Sequence, residues 1–140
     1  HTVALRSDIW ALFRKNMIAL GLWHLVHPMV MESRLAARIM ADGILDMVYI
    51  DADHRYAGVV EDIRLWLPKV RPGGVICGHH CEGYYWEFEE DMRRLFDKSG
   101  DKDTVRKYYH PGVIKGVYDV FGKDFNIVEG SNIWVHTKRP

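Results

Sequence analysis

The spacing of apolar positions changes several times along this chain, and each change predicts an element. Ile9, Phe13, Met17 and Leu20 recur at helical spacing behind Ser7-Asp8, a capping residue followed by a first-turn acid, and Gly21 supplies a stop. Leu25 to Met31 is a short apolar run that predicts a buried strand, weakened by Pro28. Ser33 then caps a second helix with Leu35, Ala36, Ile39 and Met40 along one side. Beyond the Ala41-Asp42-Gly43 turn, Ile44 to Ile50 is nearly continuous in hydrophobicity and closes on Asp51. Continuous rather than alternating hydrophobicity predicts a strand buried on both faces, as at the centre of a parallel sheet. A helical stripe of Tyr56, Val59, Val60, Ile63 and Leu67 follows, with Pro68 at its end. Pro72-Gly73-Gly74 predicts a turn and Val75-Ile76-Cys77 a second buried strand, ending at Gly78-His79-His80.

Downstream, Glu87–Phe96 is expected to be helical and Asp101 to His110 to be a surface loop. Pro111 suits the first position of another helix carrying Val113, Val117 and Phe121, closed by Gly122. Phe125–Glu129 and Asn132–Thr137, joined by Gly130-Ser131, predict an antiparallel hairpin. Strands alternating with helices give an α/β fold class: a mostly parallel sheet with right-handed crossovers and a C-terminal antiparallel hairpin.

Composition narrows the function. The chain has 140 residues, expected to form a single domain over 1–140, and 48% hydrophobic against 27% charged residues excludes a disordered tail. Nineteen basic and nineteen acidic residues leave no global field for nucleic acid or an anionic membrane, and Arg93, Arg94, Lys98, Lys102, Arg106 and Lys107 are interleaved with acids as a solvated face. No apolar run approaches the roughly 20 residues of a membrane span. Two cysteines, Cys77 and Cys81, make no disulfide framework, so the expected location is a reducing cytoplasm. The first residue is His1 rather than Met, which fits a processed chain, a tag remnant or a piece of a longer protein.

Ligands of open α/β sheets bind beyond the carboxyl ends of the strands. Three predicted strand ends are polar: Glu32-Ser33-Arg34, Asp51-Ala52-Asp53-His54 and His79-His80-Cys81. If the strands are neighbours, these ends converge on one rim. Asp51 or Asp53 either serves a ligand or caps the next helix, and His54 is either a general base or a solvated loop residue. Cys77, His79 and Cys81 carry ligand types for a soft divalent ion, but the spacing lacks the second pair of a closed zinc site, and on a continuing strand His80 would face away. Tyr84, Tyr85, Trp86 and Phe88 either wall a pocket or pack a helix.

The stretch Asp46–Tyr56, with Glu61-Asp62, Trp66, Pro68-Lys69-Val70 and Pro72–His79, resembles the second half of a class I S-adenosylmethionine (SAM) methyltransferase, in its small-molecule O-methyltransferase-like branch. Phe13, Asn16, Gly21-Leu22, Ser33 and His110–Val113 fit the same resemblance. It implies a Rossmann-like fold and methyl transfer from SAM to a small hydroxylated acceptor. It also implies Ser33 and Arg34 near the adenine, Asp51 with Ala52 and Asp53 near the methionine end, and His54 with Asp51 as catalytic residues. In metal-assisted relatives such as catechol O-methyltransferases the matching aspartate also holds magnesium, which implies Asp51, His79 and His80 as metal ligands here. The family usually has an acid where this chain has His80. Magnesium prefers oxygen ligands, so the expectation moves to a His-tolerant ion or none. The family's glycine-rich cofactor loop is not found before Ser7, so the chain is expected to be the carboxyl-terminal part of the fold; either the Leu25–Met31 strand pairs directly with Asp46–Ile50 or the edges are covered by another chain, and a homo-oligomer is expected. Two alternatives stay open: a non-catalytic, self-associating remnant of the fold, and a metal-binding α/β domain using Asp51, His79 and His80.

Overall fold

The structure is a computed structural model that describes residues 8–140, which divide into two compact units at Val30/Met31. Ser7, the expected first residue of the opening helix signal, lies outside the described residues. In the first unit α1 spans Ile9–Ala19, and the Asp8 carboxylate accepts from the Ala11 N–H at 2.8 Å. The helix ends in a paired cap in which Gly21 donates to Ile18 O and Leu22 to Met17 O. The strand expected over 25–31 is not formed. Leu25 closes a 3-10 turn that starts at Trp23, and 26–30 join no ladder. Pro28 brings no N–H, and an apolar run without a pairing partner has nothing to hold it extended.

The second unit holds α2 (Ser33–Ile39), β1 (Leu45–Ile50), α3 (Tyr56–Trp66), β2 (Val70–Gly78), α4 (Glu90–Lys98), α5 (Pro111–Phe121), β3 (Asn126–Ile127) and β4 (Trp134–Thr137). The sheet order is β1-β2-β4-β3. The α/β class and the closing hairpin are as expected, with the parallel content confined to β1–β2, while β2–β4 and β4–β3 are antiparallel. One βαβ unit through α3 supplies the parallel pair, and the missing 25–31 strand adds no second one.

Burial on both faces of β1 does not hold. Val48 and Ile50 pack on the core, but Met47 is 61% and Tyr49 46% exposed. Two-sided burial needs a packed layer on each face, and here Val48 and Ile50 turn to the core while Met47 and Tyr49 line an open groove. Pro72-Gly73-Gly74 is not a turn ahead of β2 but a bulge inside it. The partners jump from Leu45↔Val70 to Met47↔Val75, and Gly73 carries φ +74°. A Cβ on Gly74 would stand 2.8 Å from Asp46 O, so only glycine closes the bulge against β1. The helix expected at Glu87–Phe96 begins later, at Glu90, behind a 3-10 turn over Tyr85–Glu87. Tyr84, Tyr85, Trp86 and Phe88 pack rather than wall a pocket. Tyr85 stacks on Tyr118 (4.9 Å), and Tyr84 and Trp86 flank Phe125.

The core lies between the sheet and the α3–α5 pair, where Val59 and Ile63 meet Val113, Ile114 and Val117. Burying each such aliphatic side chain is worth about 1.5–3 kcal/mol. No helix among the described residues is long and apolar enough to cross a membrane.

Candidate functional site

Because β1 and β2 are parallel neighbours, Ile50 and Gly78 end side by side, and the residues after them leave the sheet on one rim. His79 N–H donates to Ile50 O (3.3 Å) as a last rung. His80 then adopts φ 63°, a left-handed conformation that costs a non-glycine residue roughly 1–2 kcal/mol. That turn ends the strand alternation, and His79 and His80, which a continuing strand would separate, have ring centroids 4.1 Å apart.

His80 is the centre of a histidine cluster, its ring 4.4 Å from His54 and 4.1 Å from His110. The Asp51 carboxylate stands 3.6 Å from His54 Nε2 and 4.0 Å from His80 Nε2. Desolvation and the neighbouring imidazoles of His110, His54 and His79 lower the His80 pKa from its ordinary value, against an opposing pull from Asp51. Two carboxylates brace the outer rings: Asp103 Oδ1 lies 2.8 Å from His54 Nδ1, and Glu82 Oε1 lies 2.7 Å from His110 Nδ1. An ionised carboxylate only accepts, so each Nδ1 carries the proton and each neutral ring keeps its lone pair on Nε2. Glu82 also accepts the His110 backbone N–H at 3.0 Å.

The sequence reading singles out Asp51, His54, His79 and His80, and these meet. It misses Asp103 and Glu82, and it includes His110 only through the family resemblance. Glu82 and His110 stand 28 positions apart with no spacing signal to join them.

The residues expected around a cofactor fall into two groups. Ser33, Asp51 and Ala52 line one groove of about 370 Å³ along β1, with Met47, Tyr49 and Trp66 among its walls. Arg34 instead pairs with Glu32 (2.6 Å), and Asp53 takes the Arg55 guanidinium (2.6 Å). Ser33 is the first residue of α2 rather than its cap. Its hydroxyl donates to Asp62 (2.6 Å) and accepts from Trp66 Nε1 (2.8 Å). A larger cavity, about 830 Å³, opens between the start of α3 and Asp97, Gly100 and Lys115, and of the expected site residues only Asp53 lines it.

Neither cysteine joins the cluster. Burial pushes the Cys81 thiol up to about 12 and raises Cys77 as well. Their thiols point to backbone carbonyls, Cys81 to Gly83 and Cys77 to Val48. Among the described residues neither sulfur joins the imidazoles in a group close enough to share an ion, so the geometry does not support the soft-ion reading of Cys77-His79-Cys81.

Asp62, at the inner wall of the groove, is 8% exposed, and desolvation raises its pKa despite the Ser33 hydrogen bond. The folded state therefore binds the proton more tightly than the unfolded chain. This group contributes most below its unfolded pKa and loses that contribution as pH rises through the folded one. The Asp62→Asn variant should melt a few degrees above the parent at pH 7, with the gain shrinking as pH falls to about 4, near the ordinary carboxylate range. Parallel thermal melts check this, and a pH-independent difference would refute it.

A family model described as a methyltransferase domain matches residues 3–81, which include β1, α3, β2 and the cluster residues Asp51, His54, His79 and His80. No curated protein matches the chain.

Proposed function

The chain belongs to this methyltransferase-domain family, and on that premise we propose that it transfers a methyl group from SAM to the hydroxyl of a small acceptor at the rim of β1 and β2. The observation that carries the reading is the meeting of Asp51 and His54 beside the Ser33–Asp51–Ala52 groove. The groove suits such a donor in its chemistry: an apolar wall from Met47 and Tyr49 for a flat ring, and a half-exposed carboxylate at one end for an ammonium. Ser33, Asp51 and Ala52 would hold it there. Arg34 and Asp53 would act at the margins, once released from Glu32 and Arg55.

SAM when bound supplies a methyl group activated by a sulfonium. The chain's own part is alignment and proton removal. His54, held by Asp103 with its lone pair on Nε2, takes the acceptor's hydroxyl proton, and Asp51 stabilises the resulting imidazolium. A divalent ion on Asp51, His79 and His80 is the metal form of the same reading.

Calorimetry of the full chain with SAM and S-adenosylhomocysteine tests the proposal. We expect saturable binding of both, with Asp51→Asn weakening it about tenfold, the worth of roughly 1.4 kcal/mol. No heat at millimolar ligand would overturn the reading. A second reading, self-association through the outer edge of β1, is favoured by its lack of a strand partner among the described residues and by exposed Met47 and Tyr49. Light scattering decides this one, a monomer at high concentration refuting it.

A further inference from the structure

Three imidazoles from three separate segments meet at this rim: His54 after β1, His80 after β2 and His110 ahead of α5. We propose that His54, His80 and His110 form a site for one borderline divalent transition ion, of which zinc is the type, with Glu82 and Asp103 as positioning residues. The site shares His80 with the Asp51–His79–His80 set and takes its other two ligands from His54 and His110. It stands on imidazole geometry and survives failure of the methyl-transfer reading.

Each of the three rings offers a ligand atom within 4.8 Å of the other two. Zinc–imidazole bonds of about 2.0–2.1 Å put tetrahedral ligand atoms roughly 3.4 Å apart, so the widest pair must close by no more than about 1.4 Å. The tautomer needed for ligation through Nε2 already exists on two rings. Metal-bound histidines almost always give their other ring N–H to a carboxylate or carbonyl, which fixes the tautomer and raises ligand basicity. His110 gives Nδ1–H to Glu82 and His54 gives Nδ1–H to Asp103, so both present Nε2. Glu82 and His110 are held in place, with side chains only 11% and 12% exposed and a second hydrogen bond from the His110 backbone.

The third ring has no hydrogen-bond partner among the described residues. His80 Nδ1 lies 3.9 Å from Glu82 and Nε2 4.0 Å from Asp51, both beyond hydrogen-bond reach. A strained backbone nevertheless holds this ring against its two neighbours. Left-handed residues persist only where the surroundings over-determine them, and they gather at ligand sites. Packing three imidazoles together without a shared proton or ion wastes their lone pairs, whereas a divalent cation satisfies all three. Asp51, Glu82 and Asp103 around the cluster offset its charge. Three nitrogens and no thiolate favour zinc, copper, nickel or cobalt over magnesium or calcium. The half-exposed Asp51 side leaves a fourth position for water or a carboxylate. An ion on His54 Nε2 uses the lone pair assigned above to proton removal, so metal loading and the base role of His54 exclude each other.

The test is a zinc titration of chelator-treated, tag-free full chain, with cobalt as a spectroscopic probe and magnesium as control. The expected result is equimolar zinc uptake, a four-coordinate cobalt spectrum and no magnesium uptake. His110→Gln should abolish uptake while His79→Ala keeps it, and Glu82→Gln, which leaves all three ligands, should weaken affinity about 10–100-fold. Circular dichroism and melting of the metal-free variants separate lost ligation from lost folding. Failure of equimolar uptake by the parent chain would overturn the proposal. So would loss in His79→Ala with retention in His110→Gln, which would assign the ion to Asp51, His79 and His80. SAM calorimetry on the metal-free chain reports separately on methyl transfer.

Discussion

Replacing Gly112 with alanine should lower the melting temperature by about 10 °C and disperse the histidine cluster in the same step. An added Cβ would come within 2.3 Å of His54 O, 2.4 Å of Tyr56 N and 2.7 Å of Arg55 C. All three are backbone atoms, so no rotamer relieves the clash, and either α5 or the 54–56 segment must move. The Tyr56 N–H that donates to Gly100 O at 2.7 Å moves with it. Helix propensity acts the other way, but alanine gains at most about 1 kcal/mol over glycine in a helix interior and less near its start. Overpacking a well-fitted site costs about 1–3 kcal/mol even where side chains can yield, so strain outweighs propensity. For a chain of this length each kcal/mol is roughly 3–5 °C.

The same contact explains why the cost falls on the site. Gly112 lets the start of α5 lie directly on the chain that carries His54, and His110 sits two residues ahead of it. Displacing α5 parts His110 from His54, now 4.8 Å ring to ring. Gly116→Ala is the matched control. Its Cβ meets side-chain atoms only, Val59 Cγ1 at 3.0 Å with Val59 Cβ and Val60 Cγ2 at 3.4 Å, so the neighbours need give by only a few tenths of an ångström. Differential scanning calorimetry with histidine side-chain NMR checks both variants. A Gly112→Ala chain that melts within about 2 °C of the parent would refute this account.

How far the fold can be read from the sequence follows from where each signal resides. β1, α3, β2 and α5 each carry their signal locally, as an apolar run or stripe closed by Asp51, Pro68, Gly78 or Gly122. Leu25–Met31 carries the same apolar signal without a ladder to join, and Met47 and Tyr49 look central but lie on a face of β1 that opens onto a groove. Pairing and coverage are tertiary facts that a run of side chains does not encode. The site divides along the same line. Asp51, His54, His79 and His80 follow the ends of adjacent strands, so the ends-of-strands rule finds them. Glu82 follows His80 by two residues on the segment leaving β2, and Asp103 and His110 come from the loop ahead of α5, whose packing on α3 rests on the glycine at 112. These three also lie outside the matched span of the family model, residues 3–81. The part of the chain that carries the family pattern supplies the rim, and the part beyond it supplies the residues that orient the rim's histidines.

Trp134→Ala should cost about 3–5 kcal/mol, a drop of roughly 10–20 °C, because that same downstream part also completes the core. Trp134 is 1% exposed and opens β4, the strand between β2 and β3, pairing Gly78 on one side and Ile127 on the other. Truncation removes the largest fully buried side chain and leaves a cavity lined by Phe121 and the end of β2. Domains of this kind hold about 5–15 kcal/mol in all, so the loss is a large share of the total. It is also directed. The indole lies against Gly78, the last residue before His79, and removing it frees the strand end on which His79 and His80 stand. Trp134→Phe keeps most of the buried ring and should lose less than half as much, which keeps the test informative if the alanine variant does not fold. Urea titration of the phenylalanine variant gives the stability, and near-ultraviolet circular dichroism reports the packing. If stability stays within about 1 kcal/mol of the parent after truncation to alanine, Trp134 does not hold β2 and β4 together.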